Sequence, residues 1–308
     1  MKNKDVLLSI CIPTYGVMEW MMPVLDSIYS QAADENLFEV VVTDNGNNKE
    51  FYDKMQEIAK EHKNLKYIKT ESYSFLNEID SYKNASGKFI KFINHRTKVN
   101  DGTIDYLINF VKNNEKEKPI VYFSNGSLNK RLIVELEDFD SYVRELSFYS
   151  SWSTGMAFWK EHFDAMPSHD GFNDLFPHTN ILFDRKNEKK YIVDDNVLLE
   201  EIPVSHKNKG KYDLFHAFAV EYVSIILDLY RQNYISYETF ESVRKQNFVF
   251  VRNLYYDFVF KKEPCSYDIS NFDKSIEVFY SKKAVKNRIP FMWAKRVLKK
   301  ILSFKKKK

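Results

Sequence analysis

Short apolar runs alternate with segments of helical period through the first third of the chain, and this alternation narrows the fold more than any other feature. Leu7-Leu8-Ser9-Ile10-Cys11-Ile12 is β-prone and is stopped by Pro13, as expected of a strand buried on both faces. Residues 19–31 place Trp20, Val24 and Ile28 at helical spacing. Phe38-Glu39-Val40-Val41-Val42-Thr43 reads as a second strand, ending in Asp44-Asn45-Gly46-Asn47-Asn48. Helices over 49–61, 75–85 and 101–113 then alternate with strands over 65–69, 88–93 and 119–124. Strand–helix repetition joined by short polar turns predicts an α/β fold with a doubly wound, mainly parallel central sheet flanked by helices. Residues 152–159 and 191–202 are β-like but less regular, and 176–184 read as a helix led in by Asp174 and Pro177. From residue 212 the pattern is helical and rich in Tyr and Phe. The Lys, Asn and Gly cluster at 207–211 marks the boundary between an α/β domain (1–210) and a helical extension (211–308).

Composition removes several classes of function. With 44% hydrophobic and 16% aromatic residues the chain can build a sizeable core, so disorder is not expected. Cys11 and Cys265 lie far apart, and Cys11 sits in an apolar run, which suggests a reducing compartment rather than a disulfide framework. The polar N-terminus does not resemble a secretion signal, and no apolar run is long enough to span a bilayer. The net charge of +3 conceals an asymmetry. From Lys286 to the end the chain has ten basic residues and no acidic ones, so the preceding body is acidic. Nucleic-acid binding, which needs a basic folded surface, is not expected.

In parallel α/β sheets ligands bind at the carboxyl ends of the strands. Three of the strands here end in polar residues: Pro13-Thr14-Tyr15-Gly16, Asp44-Asn45-Gly46 and Asn94-His95-Arg96. Ser9 through Gly16 resembles the opening strand of glycosyltransferase family 2, and Phe38 through Asn47 is similar to that family's second strand. Asn84-Ala85-Ser86-Gly87-Lys88-Phe89-Ile90-Lys91-Phe92-Ile93 resembles the family's lead-in to its metal motif. The resemblance covers roughly residues 5–125 and implies the GT-A fold. It implies a nucleotide site in which Pro13, Thr14 and Tyr15 line the base and ribose pocket and Asp44, beside Asn45, accepts hydrogen bonds from the base or ribose. Asp80 or Lys83 would reach the nucleotide from the helix before Gly87. For Asp44 the residues alone also allow a turn or helix-cap role.

The departure from the family pattern is at the metal site. Where the family ends this strand in Asp-x-Asp, the chain has Asn94-His95-Arg96. Hard divalent cations want oxygen ligands, so an ordinary Mg²⁺ or Mn²⁺ site is not expected and no metal ligand is assigned. Arg96 supplies permanent positive charge and a planar fork suited to diphosphate oxygens, and His95 adds a donor. Three readings stay open: a metal-independent enzyme using Arg96, a pseudoenzyme that binds the nucleotide sugar without turnover, and Mn²⁺ held by His95 with help from elsewhere.

The resemblance further implies a carboxylate general base on the acceptor side. Asp170, Asp174 and His178 are the candidates, with Asp174 first and His178 second; their alternatives are a helix cap and a helix-surface residue. Trp152, in Trp152-Ser153-Thr154-Gly155, falls where the family places an acceptor loop. His206, with Lys207, Lys209 and Lys211, could close over the diphosphate or be a solvated basic loop.

In the basic tail, Pro290 suits a first helical turn. Beyond it Ala294, Val297, Leu298, Ile301 and Leu302 share one helical face, and Lys295, Arg296, Lys299 and Lys300 the other. That is the pattern of a helix of about residues 288–308 lying in an anionic membrane surface. The expectation is therefore a hexosyltransferase using a nucleotide-diphosphate sugar, UDP-linked by family habit, at the inner face of a bacterial plasma membrane. It would act, by inversion, on a glycan or lipid-linked acceptor of a surface polysaccharide, and it could be oligomeric. The rivals are a nucleotide-sugar-binding partner subunit and a membrane-surface scaffold. A dinucleotide oxidoreductase is disfavoured, because the first strand leads into Pro-Thr-Tyr-Gly with no Gly-x-Gly-x-x-Gly.

Overall fold

β1 (Leu8–Thr14) lies between two parallel neighbours, pairing Leu8 with Phe38 of β2 (Phe38–Asp44) and with Phe89 of β4 (Phe89–Phe92). The computed structural model describes residues 6–129, 133–168, 171–203 and 210–305, the stretch from 299 as backbone only. The chain divides into two compact units, Met1–Pro203 and Val204–Lys308.

In the first unit, β3 (Leu65–Lys69) adds in parallel to the outer side of β2. α1 (Met18–Tyr29) turns Met21, Val24, Leu25 and Ile28 inward, and α2 (Lys49–Glu61) buries Phe51 and Met55. The Asn48 side chain starts α2 by accepting the Phe51 N–H at 3.2 Å. α3 (Asn77–Lys83) follows a short 3₁₀ turn at Ser74–Leu76. β1, β2 and β4 are buried almost throughout, so their sequences run apolar instead of alternating.

The parallel order breaks after β4. β5 (Thr97–Val99), α4 (Thr103–Asn114), β6 (Ile120–Phe123), β7 (Ile133–Leu136), α5 (Phe139–Leu146), β8 (Met156–Trp159), α6 (Lys160–Asp164), α7 (Pro177–Leu182), β9 (Tyr191–Asp194) and β10 (Leu199–Glu201) complete the unit. The eight-stranded sheet runs β3-β2-β1-β4-β8-β6-β9-β7, with β8 antiparallel between β4 and β6 and β7 antiparallel at the far edge. β5 and β10 pair as a separate antiparallel ribbon. The sheet is thus mixed and mostly parallel, because β8 approaches β4 from the opposite direction. Trp159 of β8 is fully buried, with its indole N–H on the Pro119 carbonyl at 3.0 Å and its ring 5.0 Å from Phe89. Truncating such a side chain costs about 3–5 kcal/mol.

The amino-terminal edge of the sheet is locked by polar contacts. Ser9 donates to Glu39 at 2.6 Å, Gly87 N–H donates to Ser9 Oγ at 2.8 Å, and Lys66 pairs with Glu39 at 2.7 Å. A Cβ on Gly87 would lie 2.7 Å from Ser9 Oγ, so the Ala85-Ser86-Gly87 lead-in serves strand entry.

In the second unit α8 (Leu214–His216) continues through a π-helical Ala217–Glu221 into α9 (Tyr222–Arg231). α10 (Tyr237–Leu254) is capped by Ser236 and runs into a π-helical Tyr255–Phe260. Buried Asn247 donates to the Phe218 carbonyl at 2.7 Å and meets the Tyr280 hydroxyl at 2.8 Å, tying α10 to its neighbours. α11 (Phe272–Phe279) and α12 (Lys282–Lys305) complete the unit. Pro290 lies inside α12 rather than in its first turn, because Val285 and Ile289 pack upstream of it and extend the helix back to Lys282. Among the described residues no helix is long and apolar enough to cross a membrane.

Candidate functional site

β1, β2 and β4 run parallel and so deliver their carboxyl ends to one edge of the first unit. Asn77 stitches two of these ends together. Buried at the start of α3, it donates to the carbonyls of Thr14 (3.1 Å) and Thr43 (3.0 Å), accepts from Thr70 (2.7 Å), and its own carbonyl takes the Thr43 hydroxyl (3.1 Å). Pattern reading passed over Asn77 because a polar residue at a helix start looks like a cap.

Asp44 ends β2 fully buried. Its Oδ1 accepts from Gly46 N–H at 2.8 Å, and Oδ2 accepts from the Tyr67 hydroxyl at 2.6 Å and Lys69 Nζ at 3.1 Å. The carboxylate is thus already engaged by three donors of the protein and holds the β2 turn against the end of β3. Lys69, which sequence reasoning missed, also donates to the Gly46 carbonyl. Gly46 is glycine for space: a Cβ there would lie 1.9 Å from the Tyr15 carbonyl. Asn45 closes the turn, with N–H to the Thr14 carbonyl at 3.1 Å and Nδ2 to the Ser72 carbonyl at 2.8 Å. Asp80 takes the Ser72 hydroxyl at 2.5 Å.

At the end of β1, Pro13 pairs with Thr43 and Thr14 with Asp44. Tyr15 projects half-exposed, 5.2 Å from the His95 ring and edge-on to Trp20 at 5.8 Å. His95 is buried, and burial with the nearby Arg96 charge pushes its imidazolium down to about 3, so it is neutral at physiological pH. Thr14 Oγ1 lies 2.8 Å from His95 Nδ1 and accepts from Gly16 N–H at 3.2 Å. When the Thr14 hydroxyl donates to Nδ1, the ring proton sits on Nε2 as a neutral donor. Arg96 extends its guanidinium over Trp20, 5.3 Å from the ring centroid. Asn94 Oδ1 accepts from both the backbone N–H (3.1 Å) and Nε (3.4 Å) of Arg96, which fixes the base of that side chain. Arg96 has no carboxylate partner among the described residues.

These donors do not fit a hard divalent cation. The Asn94 oxygen is spent on Arg96, the His95 Nδ1 on Thr14, and the third member is a cation. Among the described residues no three His, Cys, Asp or Glu side chains are grouped to hold a metal.

On the other flank, Lys91 of β4 is fully buried. Its ammonium donates to the carbonyls of Phe92 (3.0 Å), Thr154 (2.6 Å) and Met156 (3.2 Å), and burial pushes its pKa down to about 7. Tyr122 donates to the Tyr149 and Trp152 carbonyls at 2.6 and 3.0 Å. Together these bonds fix the turn beneath Trp152, whose ring is partly exposed and edge-on to Tyr149 at 4.8 Å.

His178 lies on the buried face of α7, not on the helix surface. Its Nε2 contacts the Ser151 carbonyl at 3.0 Å, and its Nδ1 faces Glu78 Oε1 at 3.5 Å without a hydrogen bond, both atoms being buried. Asp174 is exposed in the turn before α7 with no partner among the described residues, while Asn173 shapes that turn by accepting from Leu175 and Phe176 N–H. Lys83 closes α3 beside the Asn84–Gly87 turn, at the amino-terminal edge of the sheet and away from these strand ends. His206, Lys207, Lys209 and Asp170 lie outside the described residues.

With this geometry in place, the likenesses to known proteins can be read. S. aureus TarS residues 1–349 superimpose with a TM-score of 0.57 at 16% identity, covering 82% of this chain and 74% of that one. The fold is GT-A. A second TarS structure gives 0.53 at 16% identity over 72% of this chain, which spans only 40% of that longer protein. TarS 1–349 in complex with UDP gives 0.51 at 18% identity, covering 72% and 66%. At these identities the likenesses carry the fold alone. Residues 9–150 match the family profile described as Glycosyl transferase family 2, and this match to the strand ends described above supports a GT-A glycosyltransferase. No curated protein matches the chain significantly.

Proposed function

We propose that the chain transfers a hexose from a UDP-sugar to a glycan or lipid-linked acceptor, with inversion, in bacterial surface-polysaccharide synthesis. Peripheral attachment at the inner face of the plasma membrane goes with this reading. The observation that carries it is Arg96: a guanidinium without a carboxylate partner among the described residues, stacked on Trp20 at the end of β4, where the family resemblance places a sugar diphosphate. The uridine preference is supported by a GT-A relative of this fold that binds UDP.

Tyr15 and the Asn45–Gly46 turn would receive the base and ribose, with Asp44 acting from beneath by holding Lys69 and Gly46 in place. Arg96 and the His95 Nε2–H would meet the diphosphate. In the transfer step an acceptor hydroxyl oxygen bonds to the anomeric carbon as the bond from that carbon to the diphosphate oxygen breaks. The charge gathering on the departing UDP falls on Arg96, a group that costs no reorganisation because Trp20 and Asn94 already hold it. Asp174 takes the acceptor proton: it is the exposed candidate, whereas His178 is buried with Nε2 on the Ser151 carbonyl.

The test is release of UDP from a panel of UDP-hexoses, with EDTA or with Mn²⁺, by wild type, Arg96→Ala and Asp174→Asn. Turnover that survives EDTA and falls by at least about 100-fold in Arg96→Ala is expected. Donor binding without release by any sugar, in the presence of membrane extracts as acceptor source, would contradict transferase activity and favour the partner-subunit reading.

A further inference from the structure

α12 has two apolar faces, and folding uses one of them. Val285, Ile289 and Met292 recur at helical spacing, are buried, and pack on α11 and Tyr255–Phe260. Arg296 continues that face, pairing with Asp257 and lying 4.3 Å over the Tyr256 ring. From Pro290 onward a second set appears: Phe291, Trp293, Val297 and Leu298 are 66, 53, 37 and 59% exposed. At 3.6 residues per turn, Phe291, Ala294 and Leu298 fall on the side of the helix away from Val285 and Ile289, with Val297 beside them and Trp293 at the border. The positions of Ile301 and Leu302 continue this row in the sequence.

Charge says what covers it. No acidic residue occurs from Lys286 to the end of the chain, and Lys295, Lys299 and Lys300 occupy positions between the two apolar faces. Arg252 of α10 lies near Arg288 of α12, and neither has a carboxylate partner among the described residues. Arg252 Nε is buried without a hydrogen-bond partner, and burial, then the Arg288 charge, lowers its pKa. An anion would satisfy the unpartnered Arg252 Nε and offset the repulsion from Arg288.

We propose that α12 lies in the headgroup layer of an anionic phospholipid surface, with Phe291, Trp293, Val297 and Leu298 at the acyl boundary and Arg252, Arg288 and Lys295 on lipid phosphates. This rests on the peripheral-membrane reading above and specifies its surface. One face of the helix anchors to the protein and the other to the lipid, so attachment needs no unfolding of the unit.

The test is co-sedimentation of the full chain with vesicles of phosphatidylcholine alone and of an equimolar phosphatidylcholine–phosphatidylglycerol mixture. Wild type is expected to prefer the mixture by at least tenfold, each engaged basic residue contributing about fivefold. Phe291→Ser with Leu298→Ser is expected to lose at least about tenfold in partitioning. Arg252→Gln with Arg288→Gln is expected to lower the preference for the mixture by about 25-fold at full engagement of both residues, and an unchanged preference would overturn their role. Val249→Ser, at an exposed apolar position of α10, is expected to match wild type. UDP binding by each variant shows independently that the first unit is intact, and far-ultraviolet circular dichroism reports the helices. Failure of wild type to bind either vesicle would overturn both the peripheral reading and this surface. Wild-type binding retained in the Phe291/Leu298 variant would overturn this surface alone. So would concentration-dependent self-association that the same variant abolishes, in place of vesicle binding.

Discussion

His178 Nδ1 faces Glu78 Oε1 at 3.5 Å, and neither atom has a hydrogen-bond partner among the described residues. The other ring nitrogen lies on the Ser151 carbonyl and so must carry a hydrogen. The pair ties α7 to α3, and α3 begins with the Asn77 that joins the ends of β1 and β2.

Glu78→Gln keeps the shape of the buried side chain beside His178 and is expected to cost less than about 1 kcal/mol. Glu78→Leu sets an apolar group against the unpartnered His178 Nδ1 and is expected to cost about 1–3 kcal/mol. Urea denaturation of the three proteins checks this, and equal losses would show that the side chains do not interact.

Lys91 makes stability depend on pH on the alkaline side. Burial lowers its folded pKa to about 7, below the ordinary value of about 10.4, so between these limits the unfolded chain binds more protons than the native one. Stability from this group therefore rises with pH across about 7 to 10, by at most roughly 1.4 kcal/mol per pH unit. In Lys91→Met that rise disappears. Denaturation midpoints at pH 7, 8 and 9 decide it, and parallel profiles would refute the assignment.

His95 acts on the acid side. Its folded pKa of about 3 lies below the ordinary 6.5, so stability it supports near neutrality is lost progressively as pH falls from about 6.5 toward 3. At pH 5 the loss is about 2 kcal/mol, and His95→Gln is expected to escape it. The comparison is the change in urea midpoint between pH 7 and pH 5 in the two proteins.

Gly46 sits where a Cβ would collide with the Tyr15 carbonyl at 1.9 Å. Gly46→Ala must displace the β1 or β2 terminus and is expected to weaken UDP binding at least about tenfold, with a stability loss of about 1–3 kcal/mol. Unchanged UDP affinity would place the nucleotide elsewhere.

Much of the first unit was legible in the sequence because buried parallel strands advertise themselves as apolar runs. β3 and α2 occupy residues 65–69 and 49–61 as read, and the β1, β2 and β4 ends carry the polar residues expected of a ligand edge. Strand order was not legible, since periodicity says nothing of direction, and β8 therefore entered the sheet antiparallel between β4 and β6. Lys91 escaped notice because a lysine in a strand reads as surface, whereas three carbonyls satisfy this one in the core. The burial of His178, a base candidate whose alternative was a helix-surface residue, was not legible because Glu78, 100 residues upstream, leaves no local trace. Pro290 was read as a helix start, and only tertiary packing of Val285 and Ile289 explains the turns before it.

The central claim is that Arg96 receives the diphosphate, and isothermal titration of UDP into wild type and Arg96→Ala, each with EDTA and with Mn²⁺, tests it most directly. Wild-type binding is expected to be indifferent to the metal and to weaken about 10- to 100-fold in the variant, the worth of a charge-assisted contact. Binding that requires Mn²⁺ and is equally tight in Arg96→Ala would contradict it.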